Sequence, residues 1–272
     1  MRGLWHLSQS VTKERFDEQS EYFLYCDIME TTAAMLCDSV VVISNRLGEW
    51  LVSKGVPNEK INVVPNAAET NIVNKNLPSF ISELNHLAPK FVIGFIGSLT
   101  KYEGIDLIIR AVADLLPECP EIHCLIVGDG SERSHLEKLT AKLGINEVIT
   151  FAGQVPRSHI EEYYQLIDVF PLPRKPYPVC HLVPPLKPFE IMAQGKPIIV
   201  SDLQPLTEIV KHRETGLVFK AGSVSSLAAA IKLLYSDPAF AAELAESGRR
   251  WVINNRTWKH NVVLYERLYN QL

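Results

Sequence analysis

Three segments of the chain combine residue types and spacings that suit an anionic, hydroxyl-rich ligand. Residues 97–104 read Gly-Ser-Leu-Thr-Lys-Tyr-Glu-Gly. Glycine lets a ligand approach the backbone, and a loop entering a helix N-terminus offers unpaired N–H groups to a phosphate. With two glycines and no G-x-G-x-x-G, the segment alone reads more simply as a tight strand-to-helix turn. Gly128-Asp129-Gly130 follows another apolar run, at the carboxyl end of a strand, where open α/β sheets bind ligands. Asp129 there either acts on a ligand hydroxyl or organises the turn through its own side chain.

The third segment carries more. Residues 170–189 contain no acidic side chain, while Arg174, Lys175, His181 and Lys187 all occur. Seven prolines (171, 173, 176, 178, 184, 185 and 188) restrict φ, so the spacing predicts a long loop held in few shapes. A rigid cationic loop at the mouth of a parallel sheet is a candidate clamp for a diphosphate, against the alternative of a solvated surface loop. Pro188 suits a helix start and Gly195 its end, which puts Glu190 in a first turn with Lys187 as the expected N-cap. Lysine cannot close a capping box, which weakens the reading of Glu190 as a capping acid, although a carboxylate in a first turn also complements the helix dipole; a carboxylate there can accept hydrogen bonds from two vicinal ribose hydroxyls. Glu208, after Pro205-Leu-Thr207, is expected to open the next helix as a capping acid or a ligand contact.

The elements that must position these groups follow from periodicity. Residues 91–96, 122–127, 148–151, 168–170, 197–201 and 217–219 read as short buried strands. Helical periods fall between them at 105–116, 131–143, 225–235 and 238–254, and Ser158-x-x-Glu161 predicts a capping box opening a helix to about Leu166. Strands alternating with helices at this spacing imply a doubly wound parallel sheet. Residues 1–75 differ: 16–38 and 46–54 read as helices and 40–44 and 61–64 as strands, too little to complete a second sheet. Residues 74–90, with two prolines and many polar side chains, read as a linker. Tyr163 and Tyr164 are expected in the core, and Trp251 and Trp258 to pack a terminal helix onto the fold.

Bulk composition narrows the class. The 272 residues are 47% hydrophobic and 21% charged, with a net charge of −4, which fits a soluble globular protein and argues against a nucleic-acid binder. No apolar run approaches the roughly 20 residues of a membrane-spanning helix. The N-terminus lacks the apolar region and cleavage site of a signal peptide. The 5 cysteines form no C-x-x-C pair, which suits reduced thiols and a cytoplasmic protein.

Taken together, the residues resemble a known family. The run from Lys187 to Asp202 (Lys-Pro-Phe-Glu-Ile-Met-Ala-Gln-Gly-Lys-Pro-Ile-Ile-Val-Ser-Asp), with Glu208-Ile-Val210 and Thr215-Gly-Leu-Val218, is similar to the group 1 glycosyltransferases, which are retaining enzymes of GT-B fold. Residues 94–104, 126–130, 148–153 and 168–171 fit in the same order, as do 38–44 and 60–66 upstream. The resemblance implies a doubly wound Rossmann-like donor domain over 91–250 and an incomplete N-terminal Rossmann-like lobe over 1–75. The intervening linker would be 76–90, and 251–272 a helix packing back toward that lobe. It also implies transfer from a nucleotide-diphosphate sugar, as co-substrate, to a polysaccharide or glycolipid acceptor, with no cofactor and no metal. Lys187 and Glu190 would be catalytic, Lys187 neutralising the leaving diphosphate and Glu190 holding the ribose. Gly97, Ser98, Lys101, Gly128, Asp129, Gly130, Val155, Arg174, Leu186 and Glu208 would contact the donor.

This sequence departs from the family's pattern at several positions. The first glutamate of the E-x(7)-E element falls at Leu182. Ser98 and Glu103 stand where the phosphate loop often has Arg and Lys, leaving Lys101, Arg174 and Lys187 as replacements. The stretch Met1-Arg-Gly-Leu-Trp5 resembles the middle of an acceptor domain, so an exposed edge and apolar face are expected in the N-terminal part. Three readings follow from this. One is a glycosyltransferase at the cytoplasmic membrane face, peripherally attached. Another is a donor-binding module that needs a partner chain to complete its lobe. The third is a sugar-nucleotide epimerase of the same two-lobed fold, which the Gly-Lys-Pro-Ile-Ile-Val-Ser-Asp run disfavours.

Overall fold

The computed structural model describes residues 5–12, 20–68, 84, 87 and 90–271. The expected linker lies almost wholly outside these residues, as do Met1 to Leu4 and the first part of the helix expected from residue 16.

The N-terminal part begins with α1 (Trp5–Thr12) and α2 (Glu21–Leu36), then β1 (Val40–Val42), α3 (Asn45–Ser53) and β2 (Ile61–Val63). Ser20 and Ser44 cap α2 and α3, each side-chain oxygen accepting from the backbone N–H three residues on. β1 and β2 pair in parallel as a two-stranded sheet, with Val42, Leu47 and Leu51 fully buried behind them. One side of α2 is left open: Tyr22, Tyr25, Ile28, Met29 and Leu36 are exposed.

From residue 91 the chain alternates strand and helix: β3 (Phe91–Ile96), α4 (Ile105–Leu115), β4 (Ile122–Val127), α5 (Arg133–Leu143), β5 (Ile149–Gly153), α6 (Ile160–Leu166) and β6 (Phe170–Leu172). Then come α7 (Pro178–Leu182), α8 (Lys187–Ala193), β7 (Ile198–Ser201), α9 (Gln204–Thr207), β8 (Leu217–Phe219), α10 (Val224–Ser236), α11 (Pro238–Asn255) and α12 (Trp258–Tyr269). The strands form two parallel sheets, β3-β4-β5 and β6-β7-β8. They are joined where Ile93 bridges Val169 and Gly94 donates its N–H to the Val169 carbonyl at 2.9 Å. The resulting order β5-β4-β3-β6-β7-β8 reverses direction between β3 and β6, which is where doubly wound sheets bind ligands.

Pro171 explains why the two halves part at that point. Val169 donates to Val92 and Phe170 to Pro197 on the other side, so residue 171 would next donate toward β3. Proline has no N–H to give, and the β3–β6 ladder ends after one bridge. The loops that follow β3 and β6 meet again beyond the strand ends, where Lys175 donates its N–H to the Tyr102 carbonyl at 2.9 Å.

Several local expectations shift. The strand expected at 168–170 begins at Phe170, because Asp168 uses its carboxylate to accept the Val92 N–H at 2.7 Å instead of pairing its backbone with β7. Ser158 does not cap α6; residues 157–159 form a 3-10 turn and the helix starts at Ile160 with no side-chain cap. The proline-rich stretch is not wholly loop, since Pro178 starts α7 within it. Glu208 closes α9 instead of opening it. Tyr164 is buried against the Phe170 ring as expected, whereas Trp258 is exposed.

The N-terminal part is tied to the rest by polar contacts. Ser44 Oγ donates to the Leu182 carbonyl at 3.0 Å, Asn66 Nδ2 to Pro184 at 3.2 Å, and Arg46 Nε to Gln204 at 2.9 Å. α12 is fastened to the segment after β2 by Asn261 Nδ2 on the Pro65 carbonyl at 2.7 Å and Ala68 N–H on Arg256 at 2.8 Å.

Candidate functional site

The carboxyl ends of β3 and β4 meet through glycine. Gly97 follows β3 with φ 147° and Gly128 follows β4 with φ 129°. A Cβ on Gly128 would lie 2.0 Å from the Gly97 carbonyl oxygen, so the two backbones touch at a distance no side chain allows. Gly97 donates to Val127 and Gly128 to Gly153, which locks the three strand ends into one rim. A cleft of about 360 Å³ opens above it, lined by Ile96, Gly97, Ser98, Val127, Gly128, Asp129, Gln154, Val155 and Ile160. Of the expected donor-contacting residues, Gly97, Ser98, Gly128, Asp129 and Val155 border this cleft; Ile96 and Ile160 are additions that no polar motif could have marked.

Asp129 spends one carboxylate oxygen on its own turn, Oδ1 accepting the Gly130 N–H at 2.7 Å. Gly130 itself packs against the Leu99 backbone, where a Cβ would meet the carbonyl oxygen at 2.4 Å. Its glycine is therefore required by the approach of two loops.

α8 meets the rim through its first residue. Leu186 is the N-cap and Lys187 and Pro188 lie in the first turn, one residue earlier than expected, with Glu190 also in that turn. Lys187 crosses to the β3 loop: a Cβ on Gly97 would fall 2.4 Å from Lys187 Cε, and the ammonium stands 4.8 Å from the centre of the Phe95 ring. Glu190 is exposed, and its charge adds to burial in pushing the Tyr164 hydroxyl well above its ordinary value.

The cations of the proline-rich stretch are paired, which composition alone did not show. Their carboxylates come from the loop and helix after β3. Lys187 Nζ lies 3.1 Å and an Arg174 Nη 3.6 Å from the same Glu103 oxygen, and Lys175 pairs with Asp106 at 2.8 Å. Burial pulls the Glu103 carboxyl upward, but Lys187 and then Arg174 outweigh it, and the net effect holds it below the ordinary value. Glu103 is thus an ionised, buried carboxylate shared by two cations.

The structure does not bring every expected residue to the cleft: Lys187, Glu190, Arg174 and Gly130 are not among its lining residues. Lys101 is exposed on the 3-10 turn before α4, and Leu186 is 46% exposed at the head of α8. Glu208 accepts from Gln204, the residue that also holds Arg46, and so lies at the junction with α3. Among the described residues no group of three or more His, Cys, Asp or Glu side chains is arranged to hold a metal ion.

Comparison with known proteins fits this geometry. Residues 79–251 match the family described as glycosyl transferases group 1. An uncharacterised glycosyltransferase of Methanocaldococcus jannaschii is 27% identical over 227 residues, covering 80% of this chain and 56% of that protein. A lipopolysaccharide core biosynthesis mannosyltransferase of Rhizobium leguminosarum bv. viciae is 27% identical over 245 residues, 86% of this chain and 65% of its own length. The chain therefore spans between half and two thirds of these relatives. Among solved structures, sucrose-phosphate synthase of Thermosynechococcus elongatus superposes with a TM-score of 0.77 at 24% identity, covering 99% of this chain and 66% of that one. HepE of Anabaena, solved with UDP-glucose, gives 0.78 at 21% identity over 90% of this chain and 68% of its own. The chain belongs to the group 1 glycosyl transferases, and its parallel α/β architecture is the GT-B fold of these structures.

Proposed function

We propose that the protein transfers a sugar from a nucleoside-diphosphate sugar to a carbohydrate or lipid-linked acceptor, with retention and without a metal. The observation that carries this reading is the contact of Lys187 with Gly97 beside the cleft, which sets a cation against a close-packed backbone rim. The nucleoside would occupy the cleft between Gly128, Gln154 and Val155. Glu190 would accept from the ribose hydroxyls, and the diphosphate would lie between the 97–98 backbone and Lys187.

As the bond from the sugar's anomeric carbon to the diphosphate oxygen breaks, its electron pair passes to the diphosphate. Lys187 and Arg174 are the groups that would neutralise that charge, an electrostatic contribution worth about 10²–10³ in rate for a well-aimed donor. The acceptor hydroxyl oxygen bonds to the anomeric carbon and its proton leaves with the diphosphate, so no protein nucleophile is required. A lipid-linked acceptor would bring the chain peripherally to the cytoplasmic membrane face; among the described residues no helix is long and apolar enough to cross a membrane.

Calorimetry with UDP and GDP tests the donor site. One of the two is expected to bind, and Glu190→Gln to weaken it about tenfold, as loss of a hydrogen bond to a charged group does. The 2′,3′-dideoxy nucleotide should bind wild type and variant alike. Binding of neither nucleotide at millimolar concentration would refute the assignment.

A second reading, a nucleotide-sugar binding module with little transfer activity alone, is favoured by the open side of α2. Tyr22, Tyr25, Ile28, Met29 and Leu36 are 50–81% exposed there, and apolar surface of that kind marks a contact with further polypeptide. Robust turnover by the purified chain with no added protein would exclude it.

A further inference from the structure

Glu103 stands where an anion-binding site has least use for a carboxylate. It is 5% exposed, in the 3-10 turn before α4, and one oxygen is shared by Lys187 and Arg174. Its other oxygen, Oε2, has no hydrogen-bond partner among the described residues, and neither does Arg174 Nε. The guanidinium is otherwise held by the Val183 carbonyl at 3.1 Å and stands over the Tyr102 ring at 5.3 Å. Charge neutralisation at the diphosphate uses the two cations and leaves the carboxylate between them unexplained.

Two physical consequences follow from that placement. A buried carboxylate held by two cations leaves the group with one net positive charge. Without the carboxylate, two like charges would face each other in a poorly solvated site and the long side chains would turn outward. The carboxylate is also an anion touching the same cations that a diphosphate would touch, so the two compete for one set of hydrogen-bond donors.

We propose that Glu103 is a positioning residue that holds Lys187 at the rim, with Arg174 on the same carboxylate, in the empty site and competes with the diphosphate for them, so that nucleoside diphosphate is released after transfer. The proposal rests on the donor-site reading above. In the empty protein Lys187 already lies against Gly97 and Arg174 is held on the same carboxylate, so binding does not have to order them. In the loaded protein they are divided between Glu103 and the ligand, which limits affinity for the product.

The test is calorimetry on the full chain with UDP, GDP and inorganic pyrophosphate, comparing wild type with Glu103→Gln and Glu103→Asp after circular dichroism has confirmed folding. Glu103→Gln keeps an amide oxygen that accepts from both cations and so holds them in place, but removes the competing charge, and is expected to bind the nucleoside diphosphate about tenfold more tightly. Glu103→Asp, which keeps the charge but withdraws it by one methylene, should fall between the two and decides the matter if the Gln variant does not fold. In a Lys187→Met background the same Glu103→Gln change should alter affinity less than twofold. A merely structural role for Glu103 would weaken binding and would not depend on Lys187. Unchanged or weaker binding by the folded variants overturns the proposal, as does an equal change in the Lys187→Met background. Failure of all the proteins to bind any of the three ligands overturns the donor reading and this proposal together, whereas binding by the Glu103 variants alone supports both.

Discussion

Gly128→Ala probes the rim that joins β3 and β4. The new Cβ would lie 2.0 Å from the Gly97 carbonyl oxygen and 2.9 Å from its carbon, at φ 129°. Reaching ordinary contact at 3.4 Å requires the two loops to part by about 1.4 Å, and both atoms in the way belong to backbone. The positive φ costs about 1–2 kcal/mol, and relief of the overlap about 1–3 kcal/mol more. The total of roughly 2–5 kcal/mol corresponds to a melting temperature lower by roughly 4–20 °C for a chain near this size. Gly144→Ala is the matched control, with φ 69° and nothing within 4 Å of its Cβ. It should show only the φ cost and leave ligand binding intact. Differential scanning calorimetry gives the two melting temperatures and titration with UDP or GDP the affinities. A displacement of this size at the rim should weaken the nucleotide at least tenfold in Gly128→Ala, as ångström misplacements do in positioned sites. If the two variants melt together and bind nucleotide equally well, the close backbone approach is not what shapes this site.

Two other outcomes check the charges. Lys187→Met keeps the length of the side chain and leaves Glu103 with Arg174; it should lower turnover with the matched donor at least 100-fold by removing the cation proposed to face the leaving group, and turnover within threefold of wild type would remove Lys187 from the chemistry. The folded-state carboxyl of Glu103 lies below its ordinary value, by pairing with Lys187 and Arg174 against the opposing effect of burial. The stability it confers is therefore complete above the unfolded value near about 4.3 and is lost as pH falls through the lower folded value. The melting-temperature advantage of wild type over Glu103→Gln should shrink between about pH 5 and pH 3, and an advantage that stays constant or grows on acidification would show that Glu103 is not held ionised.

Much of the fold could be read locally. The alternation of apolar runs with helical periods from residue 91 onward specifies parallel strands and their covering helices, because burial on both faces of a sheet and on one face of a helix leaves different periods in the sequence. Gly144 and Gly195 end helices where backbone sterics require it, and both adopt positive φ. The misplacements came where side chain and backbone competed for the same partner. Asp168 accepts the Val92 N–H and delays β6, and Ser158 gives way to a 3-10 turn whose local hydrogen bonds start α6 without it. Neither competition leaves a periodic trace.

The sequence by itself determined the elements, the glycine turns after β3 and β4, and the run from Lys187 to Asp202 that carries the family likeness, since each depends on neighbours within a few residues. It also held the reason the sheet opens, because Pro171 cannot donate to β3 whatever surrounds it. Only the tertiary structure decided which charges meet. A stretch from 170 to 189 with cations and no acids reads as a free positive loop, yet its Arg174, Lys175 and Lys187 are matched by Glu103 and Asp106 from a segment about 70 or more residues earlier. Ion pairing depends on distance in space and on the low dielectric of a buried site, and neither is encoded in any local window of the chain.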